Sequence, residues 1–303
     1  VGRPAVLCPV DFSDASRVAL QHAAAIATHF GASLTLVTVN DPILAETADL
    51  RLGPNWLADR CRGELKSFLA ETFAGRTVGN VDVRYDVVTG KPAPEILRVA
   101  REARADVIVM SSHGLSGFRK LFFGATTERV LRETTVPVLV TPAVGRGPAT
   151  LDEAAAAIRR ILIPVDLATS PAAQLGVAET IGVALNVPLL LVHVIEPLRS
   201  PAGLQVHLPN VDAERRTQSD QALQEVAARV KAGVKVEALS AYGDSAEEIA
   251  KLARDRQVGL IVMGLHASPL AGSRMGSVTY RVLCLASSLV LALPPRAAEP
   301  ASI

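Results

Sequence analysis

The chain has 303 residues, with 31 Lys and Arg against 30 Asp and Glu, a formal net charge of +1, and 49% hydrophobic but only 4% aromatic residues. That length predicts two domains, each with a core of its own, and the charge balance leaves no electrostatic case for nucleic acid or an anionic membrane as partner. Ala, Val, Leu and Ile dominate the apolar positions, the composition expected where helices cover both faces of a parallel sheet. The basic stretches Arg101–Arg104 and Arg159-Arg160 are short and read as solvated faces. Cys8, Cys61 and Cys284 stand alone, without metal-site spacing; Cys8 and Cys284 lie in apolar runs and are expected to be buried packing residues. No signal peptide is read at the start, and no apolar run approaches the roughly 20 residues of a membrane helix. No membrane insertion is expected, and the expected compartment is the cytoplasm.

Residues 5–10, Ala-Val-Leu-Cys-Pro-Val, read as a short buried strand with Asp11 immediately after it. Ser13 and Asp14 offer helix caps, Ala15, Ala19, His22 and Ile26 follow one helical face, and Gly31 ends the helix. Ser33–Val39 is the second strand. Residues 40–54, holding Pro42, Gly53 and Pro54, read as a loop, and a helix follows from about Trp56 to Phe73 with Leu65, Phe68 and Leu69 on its apolar side. Val81–Val88 is the third strand, with Gly90 at its exit. Ala93, Ile96, Leu97 and Ala100 then have the spacing of an amphipathic helix. Asp106–Met110 is the fourth strand.

The stretch Met110–Glu128 leads from that strand into a helix that includes Val130 and Leu131, and it carries Gly114, Gly117 and Gly124. Glycines let backbone N–H groups come close to an anion, and the helix N-terminus adds unsatisfied donors and partial positive charge. Taken alone, the loop suits a phosphate or a plain connection equally well. Val136–Thr141 is the fifth strand. Gly145, Gly147 and Pro148 then mark a linker, and Asp152–Arg160 is Ala-rich enough for a short helix.

After the linker the same plan restarts. Ile161–Asp166 repeats Val6–Asp11 around a shared Pro-Val-Asp, and Gly243–Ile249 repeats Gly90–Ile96. Leu260–Met263 repeats Val107–Met110, and Gly276–Leu283 repeats Gly124–Leu131. Four blocks in one order at nearly constant spacing define a tandem repeat, with domains at 1–144 and 159–303 and a linker at 145–158. Each half is an α/β domain of Rossmann-like type: five strands in a mostly parallel sheet, reached through right-handed crossovers, with helices on both faces. Ligands of such sheets sit beyond the strand C-termini where strand order reverses. Asp11 and the glycine loop both lie at that edge.

At these residues the chain resembles the universal stress protein family, as a tandem pair covering nearly the whole sequence. Its nucleotide-binding members carry a loop of Gly, two residues, Gly, nine residues, Gly, then Ser or Thr, and an Asp ending the first strand. The resemblance implies ATP, with or without Mg2+, as ligand. In the first half it places Pro9, Asp11 and Val39 around the ribose and base, and Met110, Ser111, His113, Gly114, Gly117, Gly124, Ala125 and Thr126 along the phosphate loop. Ser111 replaces the first motif glycine and Ala125 the hydroxyl residue, which Thr126 or Thr127 would have to supply. In the second half the equivalents are Asp166, Val194, Gly264, His266, Gly276 and Ser277. There Ala267 replaces the middle glycine, the loop is one residue shorter, and Pro269 lies within it, so the first half is the stronger candidate. The family also pairs the final strands of two domains, which implies an internal pseudo-dimer through Val136–Thr141 and Ser288–Leu293.

Plainer roles stand beside these. Asp11 and Asp166 would serve as cap or turn residues, His113 and His266 would orient their loops, His22 would be a packed histidine, and Ser277 an N-cap. No Walker A loop, dinucleotide fingerprint, GxSxG, HExxH or paired-carboxylate arrangement is present. The function expected is a regulatory ATP-binding stress-response protein with protein partners the sequence does not name. An interaction scaffold that has lost its nucleotide and a slow ATPase remain alternatives, and whether the tandem chain forms a homodimer stays open.

Overall fold

The computed structural model describes residues 3–74, 81–112, 124–142, 147–148, 150–198, 211–231, 233–265 and 275–295. The chain divides into two compact units that meet in sequence between Ala156 and Ala157. The first contains β1 (Ala5–Pro9), α1 (Asp14–His29), β2 (Ser33–Asn40), α2 (Pro42–Leu52), α3 (Trp56–Thr72), β3 (Val83–Thr89), α4 (Pro92–Glu102), β4 (Val107–Ser111), α5 (Ala125–Glu133) and β5 (Val138–Thr141). Its strands run in the order β3-β2-β1-β4-β5, and every pair is parallel. The crossovers from β1 step one way and those from β4 the other, so strand order reverses between β1 and β4. With right-handed crossovers that reversal puts α1 and α3 on one face, in mutual contact, and α4 and α5 on the other.

The central strands are Val, Ile and Leu runs because both faces are covered; Leu7, Cys8, Leu34, Leu36 and Ile108 are fully buried. Helix α1 buries Ala19, Ala23, Ala24 and Ala27, small side chains that let it lie close on β1 and β4. Its buried stripe is centred on Ser16, Ala19, Leu20 and Ala23, whereas Ala15, His22 and Ile26 from the expected face are half-buried. Ser13 is its N-cap, its side chain accepting from Ser16 N.

The second unit follows the same plan after α6 (Leu151–Ala157): β6 (Ile161–Pro164), α7 (Ala172–Leu185), β7 (Leu189–Ile195), α8 (Val211–Ala227), β8 (Val236–Tyr242), α9 (Ser245–Asp255), β9 (Leu260–Gly264), α10 (Ser277–Leu285) and β10 (Leu289–Leu293). Its order is β8-β7-β6-β9-β10, again all parallel. Ile161, Leu162 and Ile163 of β6 are wholly buried, as Leu7 and Cys8 are in β1. Among the described residues no helix is long and apolar enough to cross a membrane.

Three expectations need correction. Residues 40–54 are mostly helix: Asp41 Oδ1 accepts from Ile43 N (2.8 Å) and Leu44 N (3.1 Å), and Pro42 takes the first helical position, where its missing N–H costs nothing. Pro42 thus starts a helix in a segment expected to be a loop. Ser277 is not an N-cap; Gly276 holds that place and Ser277 begins the helix. Cys284 is half-buried, while Cys8 is buried as expected.

Candidate functional site

In the first unit a cavity of about 500 Å³ opens beyond the C-terminal ends of β1, β2 and β4, at the point where strand order reverses. Pro9, Asp11, Val39, Met110, Ser111, Gly124, Ala125 and Thr126 all line it. Residues from four separate stretches of sequence are therefore brought together around one cavity. His113, Gly114 and Gly117 lie outside the described residues. In the second unit the corresponding cavity is about 250 Å³ and is lined by Asp166, Val194, Gly264, Gly276 and Ser277, with His266 outside the described residues.

The same backbone device holds the base of each loop. Ser112 N donates to Thr141 O and Gly124 N to Ser112 O, both at 2.9 Å; Leu265 N donates to Leu293 O at 2.8 Å and Gly276 N to Leu265 O at 2.9 Å. Thr127 Oγ1 donates back to Ser111 O, and Thr279 Oγ1 to Gly264 O, each at 2.9 Å. Thr127 and Thr279 are buried, so these hydroxyls tie the first helical turn to the strand end and are committed there. Of the two threonines considered as a substitute hydroxyl, only the half-buried Thr126 remains.

Gly124 is the N-cap of α5 and Gly276 that of α10, and neither supplies a side-chain hydrogen bond. Both glycines have ordinary extended backbone, φ −62° and −60°. Glycine is thus not required by conformation; what it provides is the absence of a side chain at a helix N-terminus that faces a cavity. The first-turn N–H groups, with the helix dipole behind them, form an anion-binding end.

Asp11 is half-buried, and its Oδ1 accepts from Ser13 N (3.1 Å) and Ser13 Oγ (2.6 Å). It shapes the turn into α1 while lying on the cavity wall, so the turn role and a ligand role coexist in one side chain. Asp166 is exposed, and its Oδ1 accepts from Ala168 N at 3.0 Å. Beneath Asp11, burial and the neighbouring carboxylate push the Cys8 thiol well above its ordinary pKa, which keeps it protonated and unreactive.

Residues that sequence reasoning missed also line the first cavity: Phe12, Ser16, Thr38, Asn40, Asp41 and Leu44 among them. Thr38, Asn40 and Asp41 carry a positional signal, at or just after the end of β2, whereas Phe12, Ser16 and Leu44 carry none. In the second cavity the missed residues include His193, whose Nδ1 donates to Val165 O at 2.9 Å, and Ser245, which donates to Glu196 Oε1 at 2.8 Å. Nearby, Arg281 meets Asp244 at 2.5 Å and Glu247 at 3.2 Å, and the guanidinium holds the Asp244 carboxyl below its usual range. The corresponding Arg129 instead pairs with Glu133 along its own helix at 2.9 Å. The ion pairing at α5 and α10 therefore differs between the two units, as do the cavity volumes. Among the described residues no group of three or more His, Cys, Asp or Glu is arranged to hold a metal ion.

The model of the universal stress protein family matches residues 3–142 and again 157–294. A universal stress protein of Methanocaldococcus jannaschii, MJ0577, is 31% identical over 150 residues, covering 45% of this chain and 92% of its own length. One from Mycolicibacterium smegmatis is 33% identical over 138 residues, 45% of this chain and 44% of that one. Among solved structures, a universal stress protein from Archaeoglobus fulgidus superposes over 97% of this chain and 98% of its own with a TM-score of 0.62 at 18% identity, a likeness of fold. With its model matched twice and over most of the sequence, the chain belongs to the universal stress protein family, as a tandem member.

Proposed function

We propose that the first-unit cavity binds an adenine nucleotide, ATP, and that the chain is regulatory rather than catalytic, with occupancy read out by protein partners in the cytoplasm. The observation that carries this reading is the N-terminus of α5, without a side-chain cap, opening onto a cavity of about 500 Å³ that Asp11 and Val39 also line. Phosphate oxygens would accept from the first-turn N–H groups of α5, with Thr126 as the available hydroxyl. Asp11 would accept from ribose hydroxyls and Val39 would lie against the base. His113, Gly114 and Gly117, placed by the family resemblance, would complete the phosphate loop. Mg2+, when it accompanies the triphosphate, would neutralise phosphate charge. The second cavity, half as large and with Asp166 exposed, is the weaker site. The domains are proposed to run 1–144 and 159–303, joined by 145–158.

Isothermal titration of the whole chain with ATP tests this, supported by native mass spectrometry. One tight site per chain is expected, weakened about tenfold or more by Asp11→Ala and little by Asp166→Ala. Gly124→Asp makes a sharper test. Asp is at least as good an N-cap as Gly, so stability holds or rises by a few tenths of a kcal/mol, while a carboxylate at the phosphate end lowers ATP affinity at least about tenfold. Absence of adenine-nucleotide binding to well-folded protein would overturn the proposal.

A further inference from the structure

We infer that Phe12 and Leu44 form an apolar seat for a flat aromatic base in the first cavity, so that this half selects its ligand by the base as well as by phosphate. The inference rests on the nucleotide reading of that cavity and names the part of the ligand recognised there. Phe12 occupies the left-handed region, φ +63°, a conformation that bulky L-residues rarely adopt. The turn imposes it: Asp11 accepts from both Ser13 N and Ser13 Oγ, and α1 begins one residue later.

The result is an aromatic side chain 38% exposed on the wall of a cavity. Its ring is braced edge-on by Phe68, with centroids 5.6 Å apart and planes at 87°. Phe68 is itself buried and carries the Arg17 guanidinium 4.3 Å from its ring centroid, and Arg17 is anchored through Nη1 to Thr72 Oγ1 at 3.1 Å.

Leu44 reaches the same cavity from the first turn of α2 and is 55% exposed, its own N–H held by Asp41. Phosphate has no use for either side chain. A purine does, because both of its faces are apolar and polarisable, and burying them against a fixed ring and an aliphatic side chain removes wetted apolar surface from all partners. The second unit lacks the device: Leu167 takes the place of Phe12 and does not line its cavity.

The test compares ATP with inorganic tripolyphosphate on the full-length chain, by titration, with thermal unfolding as the check on folding. ATP is expected to bind at least about tenfold more tightly than tripolyphosphate. Phe12→Leu, the residue of the second unit, and Leu44→Ser should each weaken ATP by roughly five- to twentyfold and leave tripolyphosphate within about twofold, while Phe12→Tyr keeps ATP near the wild-type value. Equal losses for both ligands would make these side chains merely structural and overturn the inference, as would an unchanged ATP affinity. Tripolyphosphate binding as tightly as ATP would overturn it while leaving the phosphate end intact. If neither ligand binds the wild-type chain, the nucleotide reading fails first and this inference falls with it.

Discussion

His22 lies half-buried on α1, and burial lowers its pKa from 6.5 to about 4. The folded chain therefore prefers the neutral imidazole, and below the unfolded pKa the unfolded state binds the extra proton. Stability is fully present above about pH 6.5 and falls as the pH drops toward 4, by up to about 1.4 kcal/mol per unit, with no further loss from this group below that. Urea titrations between pH 7 and 4 should show a shallower acid limb in His22→Gln than in the wild type. At the same scale, some residues were legible and others not. Asp11 could be singled out because it follows Pro-Val in both halves, and it lies on the cavity wall. Phe12 and Leu44 could not, since what distinguishes them is exposure on a particular wall. Thr127 was grouped with Thr126, and only the hydrogen bond to Ser111 O separates them.

The two glycines at the exits of β3 and β8 show what an element demands of one residue. Gly90 and Gly243 have φ +154° and +148°, and their N–H groups donate to Asn40 O and Ile195 O at the ends of β2 and β7. An added Cβ would stand 2.8 Å from Glu95 Cγ at the first and 2.9 Å from Glu248 Cγ at the second. Gly90→Ala and Gly243→Ala should each destabilise by about 1–3 kcal/mol in denaturant unfolding, the cost of a sparsely populated backbone region plus displacement of a glutamate. Equal stability of both variants with the wild type would contradict this. Helix α2 is the element that periodicity could not find. It buries only Ala48, and Ile43, Leu44, Leu50 and Leu52 are exposed. Its apolar residues do not follow a core-facing stripe, so its start was written in the Asp41-Pro42 cap alone.

For the whole molecule, the proposed nucleotide binding would be linked to stability. Saturating ATP at about one hundred times the dissociation constant should stabilise the unit it occupies by about 2.7 kcal/mol, read as a rise in its unfolding midpoint. Asp11→Ala should abolish most of that rise and Asp166→Ala little of it; the reverse order would move the principal site to the second unit.

The parallel α/β plan, its duplication and the edge of the sheet that carries the candidate cavity were all readable from residue order, because strand and helix periods and the recurrence of Pro-Val-Asp are local properties of the chain. The size of each cavity, the half-burial of Asp11 against the exposure of Asp166, and the seating of Phe12 on Phe68 were decided only by tertiary structure. Those properties depend on how β1, β2, β4, α2 and α3 converge in space, and similar sequence blocks in the two halves converge to different volumes.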